Sequence, residues 1–121
     1  MRLAVSLLAF SALTSAADAA IADAAKKDDG AAVERLIAAH KDVNAPQVDG
    51  TTALHWAAHA DDLEMATKLL DAGAKPGAVN RYGMTALAQA CINGDARMIE
   101  LLLNHGADAN QALPEIGRAH V

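Results

Sequence analysis

The side chains able to do chemistry are few. Those that stand out are three of the five imidazoles, His55, His59 and His105, the thiol of Cys91, the indole of Trp56, and two groups of acids, around Asp18 to Asp29 and Asp61 to Glu64. A metal site needs ligands that one element can bring together, and His59 and His105, 46 residues apart, do not form a His-x-x-x-His pair. Asp18, Asp23, Asp28 and Asp29 are interleaved with Lys26 and Lys27, which reads as a solvated surface rather than a metal site. Asp61, Asp62 and Glu64 have the pattern of charge gathered at a helix start, where the helix dipole favours it. The sequence contains no Gly-x-Ser-x-Gly nucleophile motif, no phosphate-cradling glycine loop and no Cys-x-x-Cys. No catalytic residue, cofactor or metal ligand is therefore assigned.

The elements that must carry these residues are set by a repetition. Asp49-Gly50-Thr51-Thr52-Ala53-Leu54-His55-Trp56-Ala57-Ala58 returns as Tyr82-Gly83-Met84-Thr85-Ala86-Leu87-Ala88-Gln89-Ala90-Cys91. Leu69-Leu70-Asp71-Ala72-Gly73-Ala74 returns as Leu102-Leu103-Asn104-His105-Gly106-Ala107, and both copies keep a spacing of 33 residues. A fixed period of this size marks a repeat array, in which each unit buries its apolar face against its neighbours. Within a period, Thr52 is placed to cap a helix running to about Ala60, through a hydroxyl that accepts from an orphaned N–H. Leu63, Ala66, Leu69 and Leu70 recur at helical spacing and predict a second helix from about Leu63 to Ala72, with Gly73 as its left-handed stop. The next period repeats the design: Thr85 caps, Gly94 separates the helices, and Met98, Ile99, Leu102 and Leu103 form the buried side. Shifting back by one period places Ile21 under Leu54, Ala24-Ala25 under Ala57-Ala58 and Leu36-Ile37 under Leu69-Leu70. Composition agrees, since 53% of residues are apolar but only 2% aromatic, as suits thin helices stacked closely.

Gly-x-Thr-Ala-Leu-His-x-Ala-Ala, a second helix ending in Leu-Leu, and Gly-Ala-Asp-x-Asn together resemble the ankyrin repeat, with Ala53 and Ala86 standing where that family usually has proline. The resemblance covers about Ala19 to Asn110. It implies an all-α solenoid of stacked antiparallel helix pairs with β-turn fingers, in about three repeats: a degenerate one at 18–45, then 46–78 and 79–110. The first unit lacks the Gly-x-Thr-Ala-Leu opening and has His40-Lys41 in place of Gly-Ala. For His55 the resemblance implies a structural brace between neighbouring loops, with Ala88 leaving that brace incomplete in the third unit. Trp56 is expected to pack beside the helix pair. Cys91 stands where the motif usually has alanine, so a buried, inert thiol is expected.

Ahead of the repeats, residues 1–17 read as a secretory signal peptide. Arg2 gives the positive start, Leu3 to Leu13 the apolar run, and Ser15-Ala16-Ala17 the small residues at the cleavage site. The run is shorter than the ~20 residues that span a bilayer. A periplasmic or secreted protein is expected, without membrane attachment after cleavage; with Cys91 as its one cysteine it forms no internal disulfide. Residues 111–121 read either as the start of a further repeat or as an artefactual tail. Ile116 to Val121 can be encoded by ATC GGA AGA GCA CAC GTC, which with a following TGA resembles sequencing-library adapter DNA. The expectation is that the natural protein continues with more repeats; a genuine short C-terminus is the alternative.

The formal charge of −5 argues against nucleic acid or an anionic membrane surface as partner. What the resemblance implies is a non-enzymatic scaffold for an unknown protein partner, using the fingers and the concave helix face. The contact residues it implies are Val48, Asp49, Thr51 and His59 in the second unit and Arg81, Tyr82, Met84 and Ile92 in the third. The alternative is an accessory ankyrin region of a larger exported protein whose activity lies beyond the truncation. Ile99, Leu102 and Leu103 belong to a helix that ordinarily abuts another unit, so self-association through the uncapped C-terminal repeat is also expected.

Overall fold

The computed structural model describes residues 19–111, so the signal-peptide reading and, beyond Gln111, the tail reading lie outside the described residues. Three helix pairs follow one another: α1 (Ala20–Lys26) with α2 (Gly30–Ala38), α3 (Ala53–Ala60) with α4 (Leu63–Asp71), and α5 (Ala86–Asn93) with α6 (Ala96–Asn104), before a short 3-10 turn at Ala109–Gln111. The first helices form an inner row in which α3 packs between α1 and α5; the second helices form a looser outer row. Alanine explains the difference. Ala24, Ala25, Ala53, Ala57, Ala58, Ala86 and Ala90 are all buried, and side chains this small let inner helices come close. The outer row buries Val33, Met65, Leu69, Leu70, Met98 and Leu102, which join Ile21, Leu54 and Leu87 of the inner row in one core. Each buried leucine contributes roughly 1.5 to 3 kcal/mol relative to exposure.

Each helix pair turns tightly through a left-handed residue. Asp28, Asp61 and Gly94 have φ of 56°, 59° and 75°. After Asp61 N–H reaches Ala58 O (3.1 Å), Asp62 N–H reaches Ala57 O (2.9 Å), which satisfies two otherwise orphaned carbonyls. The following aspartate then starts the outer helix: Asp29 accepts from Ala32 N–H, Asp62 from Met65 N–H and Asp95 from Arg97 N–H. The expected charge cluster thus divides in two, with Asp61 closing α3 and Asp62 opening α4. Gly73 is left-handed as expected, at φ 102°, and His40 takes the same conformation in the first unit, at φ 62°.

Between pairs run the fingers. The 47–51 finger closes on itself through Gln47 N–H to Thr51 O (2.9 Å), and the 80–84 finger through Asn80 N–H to Met84 O (3.1 Å). One backbone bond joins them, from Arg81 N–H to Asp49 O at 2.8 Å. Outside the fingers, Asn44 reaches across to the next unit, donating to Gly73 O (3.0 Å) and accepting from Lys75 N–H (2.7 Å). Asn93 donates to Ala58 O at 2.8 Å, so α5 covers the end of α3. On the outer row Lys68 meets Glu34 of the preceding unit at 2.6 Å, an exposed pair that adds little stability.

Two expectations fail at the same edge. Cys91 is an exposed free thiol, whereas its counterparts Ala25 and Ala58 are 1% and 0% exposed. Leu103 is 41% exposed, against 7% for Leu70. The reason is common to both: these positions face the following unit, and among the described residues no helix pair follows α6.

Gly50 provides a local test of the inter-finger contact. It has φ +86°, and a Cβ placed there would lie 3.0 Å from Asn80 Cα and 3.4 Å from Arg81 N. Gly50→Ala is expected to cost about 1 to 3 kcal/mol. Gly94→Asn, at a left-handed site that aspartate occupies in the earlier units and with open space around it, is expected to stay within about 0.5 kcal/mol of wild type. Urea denaturation of both variants checks this.

Candidate protein-binding surface

The fingers and the inner helices border two adjoining hollows. The first, of about 410 Å³, lies between α1 and the finger tips, lined by Asp23, Lys26, Gln47, Val48, Asp49 and Arg81. The second, of about 250 Å³, is lined by residues including Trp56, His59, Tyr82, Met84 and Gln89. The period arranges these side chains in rows. Asp23, Trp56 and Gln89 are successive equivalents on the inner helices, as are Lys26, His59 and Ile92; Val48 and Arg81, then Asp49 and Tyr82, are equivalents on the fingers.

Seven of the eight residues expected at the surface are at least partly open to solvent. Val48 is 97% exposed, Tyr82 67% and Ile92 64%; His59 and Arg81 are also exposed, and Asp49 and Met84 are half-buried. Thr51 differs. It is buried, and its hydroxyl accepts from Asn80 Nδ2 at 3.3 Å, so it secures the finger instead of being presented to a partner.

A side-chain network fixes the floor of the first hollow. Trp56 Nε1–H donates to Gln47 Oε1 (2.8 Å), and Gln47 Nε2 donates to Asp23 Oδ1 (2.7 Å), linking α3, the first finger and α1. Lys26 Nζ lies 5.6 Å from the Trp56 ring centroid, and His59 meets the same ring edge to face at 5.7 Å. Trp56 therefore packs beside the helices as expected, but it also forms part of the open surface. Asp23 and Lys26, read from sequence only as part of a solvated surface, and Gln47 were not among the expected contact residues; stepping back one period from Trp56 and His59 reaches the first two.

His55 holds the floor of the second hollow. Only 5% exposed, it accepts Thr52 N–H at Nδ1 (3.0 Å), and its Nε2 lies 2.8 Å from Met84 O on the next finger. These partners assign the neutral tautomer with the proton on Nε2. The brace expected of His55 is thus present, and in the third unit Ala88 has no imidazole to repeat it. There Thr85 caps α5 directly, accepting from Ala88 N–H at 3.0 Å. Burial holds the His55 imidazole below its ordinary titration range, outweighing the opposing pull of the Met84 carbonyl and of Asp49. Asp49 is itself held low, chiefly because the Thr51 hydroxyl and N–H favour its carboxylate.

His55 and His59 stand four residues apart on one helix, a spacing that can hold a metal and that the sequence reading passed over. Both nitrogens of His55 are occupied by Thr52 and Met84, which leaves that pair without a free donor on His55. His105 sits at the end of α6, with Nδ1 3.0 Å from Leu101 O and Nε2 3.8 Å from Asp71. Among the described residues no group of three or more His, Cys, Asp or Glu side chains is arranged to hold a metal ion.

This geometry can be set beside known proteins. The chain is 50% identical over 52 residues to human cyclin-dependent kinase 4 inhibitor B, covering 43% of this chain and 37% of that protein. It is 37% identical over 79 residues to the Arabidopsis thaliana E3 ubiquitin-protein ligase KEG, covering 64% of this chain and 5% of that one. In structure it superposes on the Legionella effector AnkH with a TM-score of 0.72 and 37% identity, over 76% of this chain and 20% of AnkH. The chain thus spans well under half the length of the human inhibitor and a fifth of AnkH. A family model described as ankyrin repeats (3 copies) matches residues 21–112, and with three stacked helix pairs and their fingers over that span, the chain belongs to the ankyrin-repeat family.

Proposed function

We propose that this chain is a non-enzymatic scaffold that binds a protein through the finger tips and inner helices. The observation that carries the reading is the exposure of Val48 and Tyr82, each lining one of the two hollows, together with that of Ile92 on α5. Buried apolar and aromatic anchors usually carry interface energy, and here large apolar side chains stand open on a floor fixed by hydrogen bonds. The named relatives support it in kind, since one is called an inhibitor of a kinase. The position of those anchors, not the net charge, would select the partner: the acids Asp23 and Asp49 are matched on this face by Lys26 and Arg81.

The leader read from residues 1–17 puts this binding in the periplasm or outside the cell. Crosslinking in cells that express the chain with its leader tests place and contact together: the mature chain is recovered from the exported fraction, bound to a partner. Arg81→Ala with Tyr82→Ala is expected to weaken that complex at least tenfold, as truncating interface tyrosine and arginine commonly costs above 1 kcal/mol, with an unchanged circular dichroism spectrum. Full affinity in the double variant would remove the finger from the interface, and a purely cytosolic chain would remove the export reading alone.

A second reading, self-association through α5 and α6, is favoured by the exposed Cys91 and Leu103 at that edge. Leu103→Glu is expected to convert any dimer seen by light scattering into monomer, and a monomeric wild type at high concentration would end this reading.

A further inference from the structure

We infer that His55 is a proton-operated latch on the 80–84 finger: neutral, it holds the finger in the binding position, and protonated, it lets the finger loosen. This rests on the reading of that finger as part of the partner surface, and it adds a regulation to it.

The two ring nitrogens of His55 have different partners. Nδ1 lies 3.0 Å from Thr52 N and 2.9 Å from Thr52 Oγ1, while Nε2 lies 2.8 Å from Met84 O. A backbone N–H can only donate, so Nδ1 must offer a lone pair, and the Nε2 proton goes to the Met84 carbonyl. A second proton has only Nδ1 to occupy. It would then set one N–H against another, and Thr52 N–H, in a buried residue, would lose its acceptor. The threonine hydroxyl could accept from the new N–H, but it cannot also satisfy the amide. Relief comes from the ring moving toward water, which breaks the bond to Met84 on the next finger.

The period makes this device singular. The equivalents of His55 are Ala22 and Ala88, so one imidazole holds one finger, and that finger carries Arg81 and Tyr82. The finger keeps its remaining ties when the ring leaves: Arg81 N–H to Asp49 O and Asn80 Nδ2 to Thr51 Oγ1. Loosening is therefore local, and the helices stay folded. The other titratable groups bordering this hollow are Asp49 from the first finger, His59 from α3 and Tyr82 from the second finger. Asp49 favours the charged ring, but burial outweighs it. The folded-state value lies below that of the unfolded chain, so the sign is fixed. The latch is fully closed above about pH 6.5, the unperturbed histidine value, and its contribution is lost as pH falls from there through the folded-state value.

An NMR titration of the chain from pH 8 to pH 5 tests this without any partner. At neutral pH the His55 ring should show the Nε2–H tautomer, and it should titrate below about 6.5. The amides of Thr52 and of Arg81 to Thr85 should shift with the same midpoint while the helical circular dichroism signal holds. His55→Gln, which can still donate to Met84 O, should remove that midpoint, and His59→Asn should leave it in place. Finger amides that ignore the His55 titration would overturn the latch, as would a midpoint that survives in His55→Gln or an Nδ1–H tautomer at neutral pH. Where His55→Gln does not fold, the wild-type ring and amide midpoints decide alone. Failure of the latch leaves the binding reading standing, because that reading is judged by affinity in the Arg81 and Tyr82 variant.

Discussion

The close approach of the inner helices governs the rest of this structure. Alanines that are 0% exposed line α3 at Ala53, Ala57 and Ala58, and they let α1 and α5 settle against it at short range. Once α3 and α5 are in register, the ends of neighbouring units fall within hydrogen-bond distance. Asn93 reaches the end of α3, and Arg81 N–H reaches Asp49 O. The finger surface is therefore a product of helix stacking. A bulkier residue at Ala57 would separate the helices and with them the fingers, although no residue of the surface itself would have changed. This is how a stack of units, each too small for a core of its own, presents a continuous surface.

Much of this was legible in the sequence, because a repeat writes its own register. The spacing of Gly50 and Gly83 located the fingers, Thr52 and Thr85 the starts of the inner helices, and Gly73 the end of an outer one. Aspartate's double use was not legible. At Asp61 it closes one helix in a left-handed conformation and at Asp62 it opens the next, and nothing in Asp-Asp separates these roles without the backbone. The surface was partly legible. Val48, Tyr82 and Ile92 were found through the family resemblance, whereas the Trp56, Gln47 and Asp23 network depends on which way three side chains point. Thr51 misled for the same reason, since its neighbours on the finger are open and its own hydroxyl turns toward Asn80.

Cys91 and Leu103 show where a repeat pattern ceases to predict burial. Position within the period fixes which face a side chain occupies, but burial also requires something to cover that face. Ala58 and Leu70 have α5 and α6 over them, while Cys91 and Leu103 belong to the last described pair. Their exposure is thus a property of the edge. The same logic gives Trp56 and His55 their importance: both lie in the middle unit, with neighbours on either side, and both reach from the inner row to a finger, Trp56 to Gln47 and His55 to Met84.

The central claim is that stacking of the repeats, not the finger's own sequence, holds the 80–84 finger in place. Hydrogen exchange at the Arg81 amide tests it most directly, since that N–H donates to Asp49 O across the unit boundary at 2.8 Å. The account predicts strong protection at Arg81, near that of the α3 and α5 amides, and loss of this protection when Ala57→Leu forces the inner helices apart. Exchange at Arg81 in the folded wild type at the rate of a free loop would contradict it.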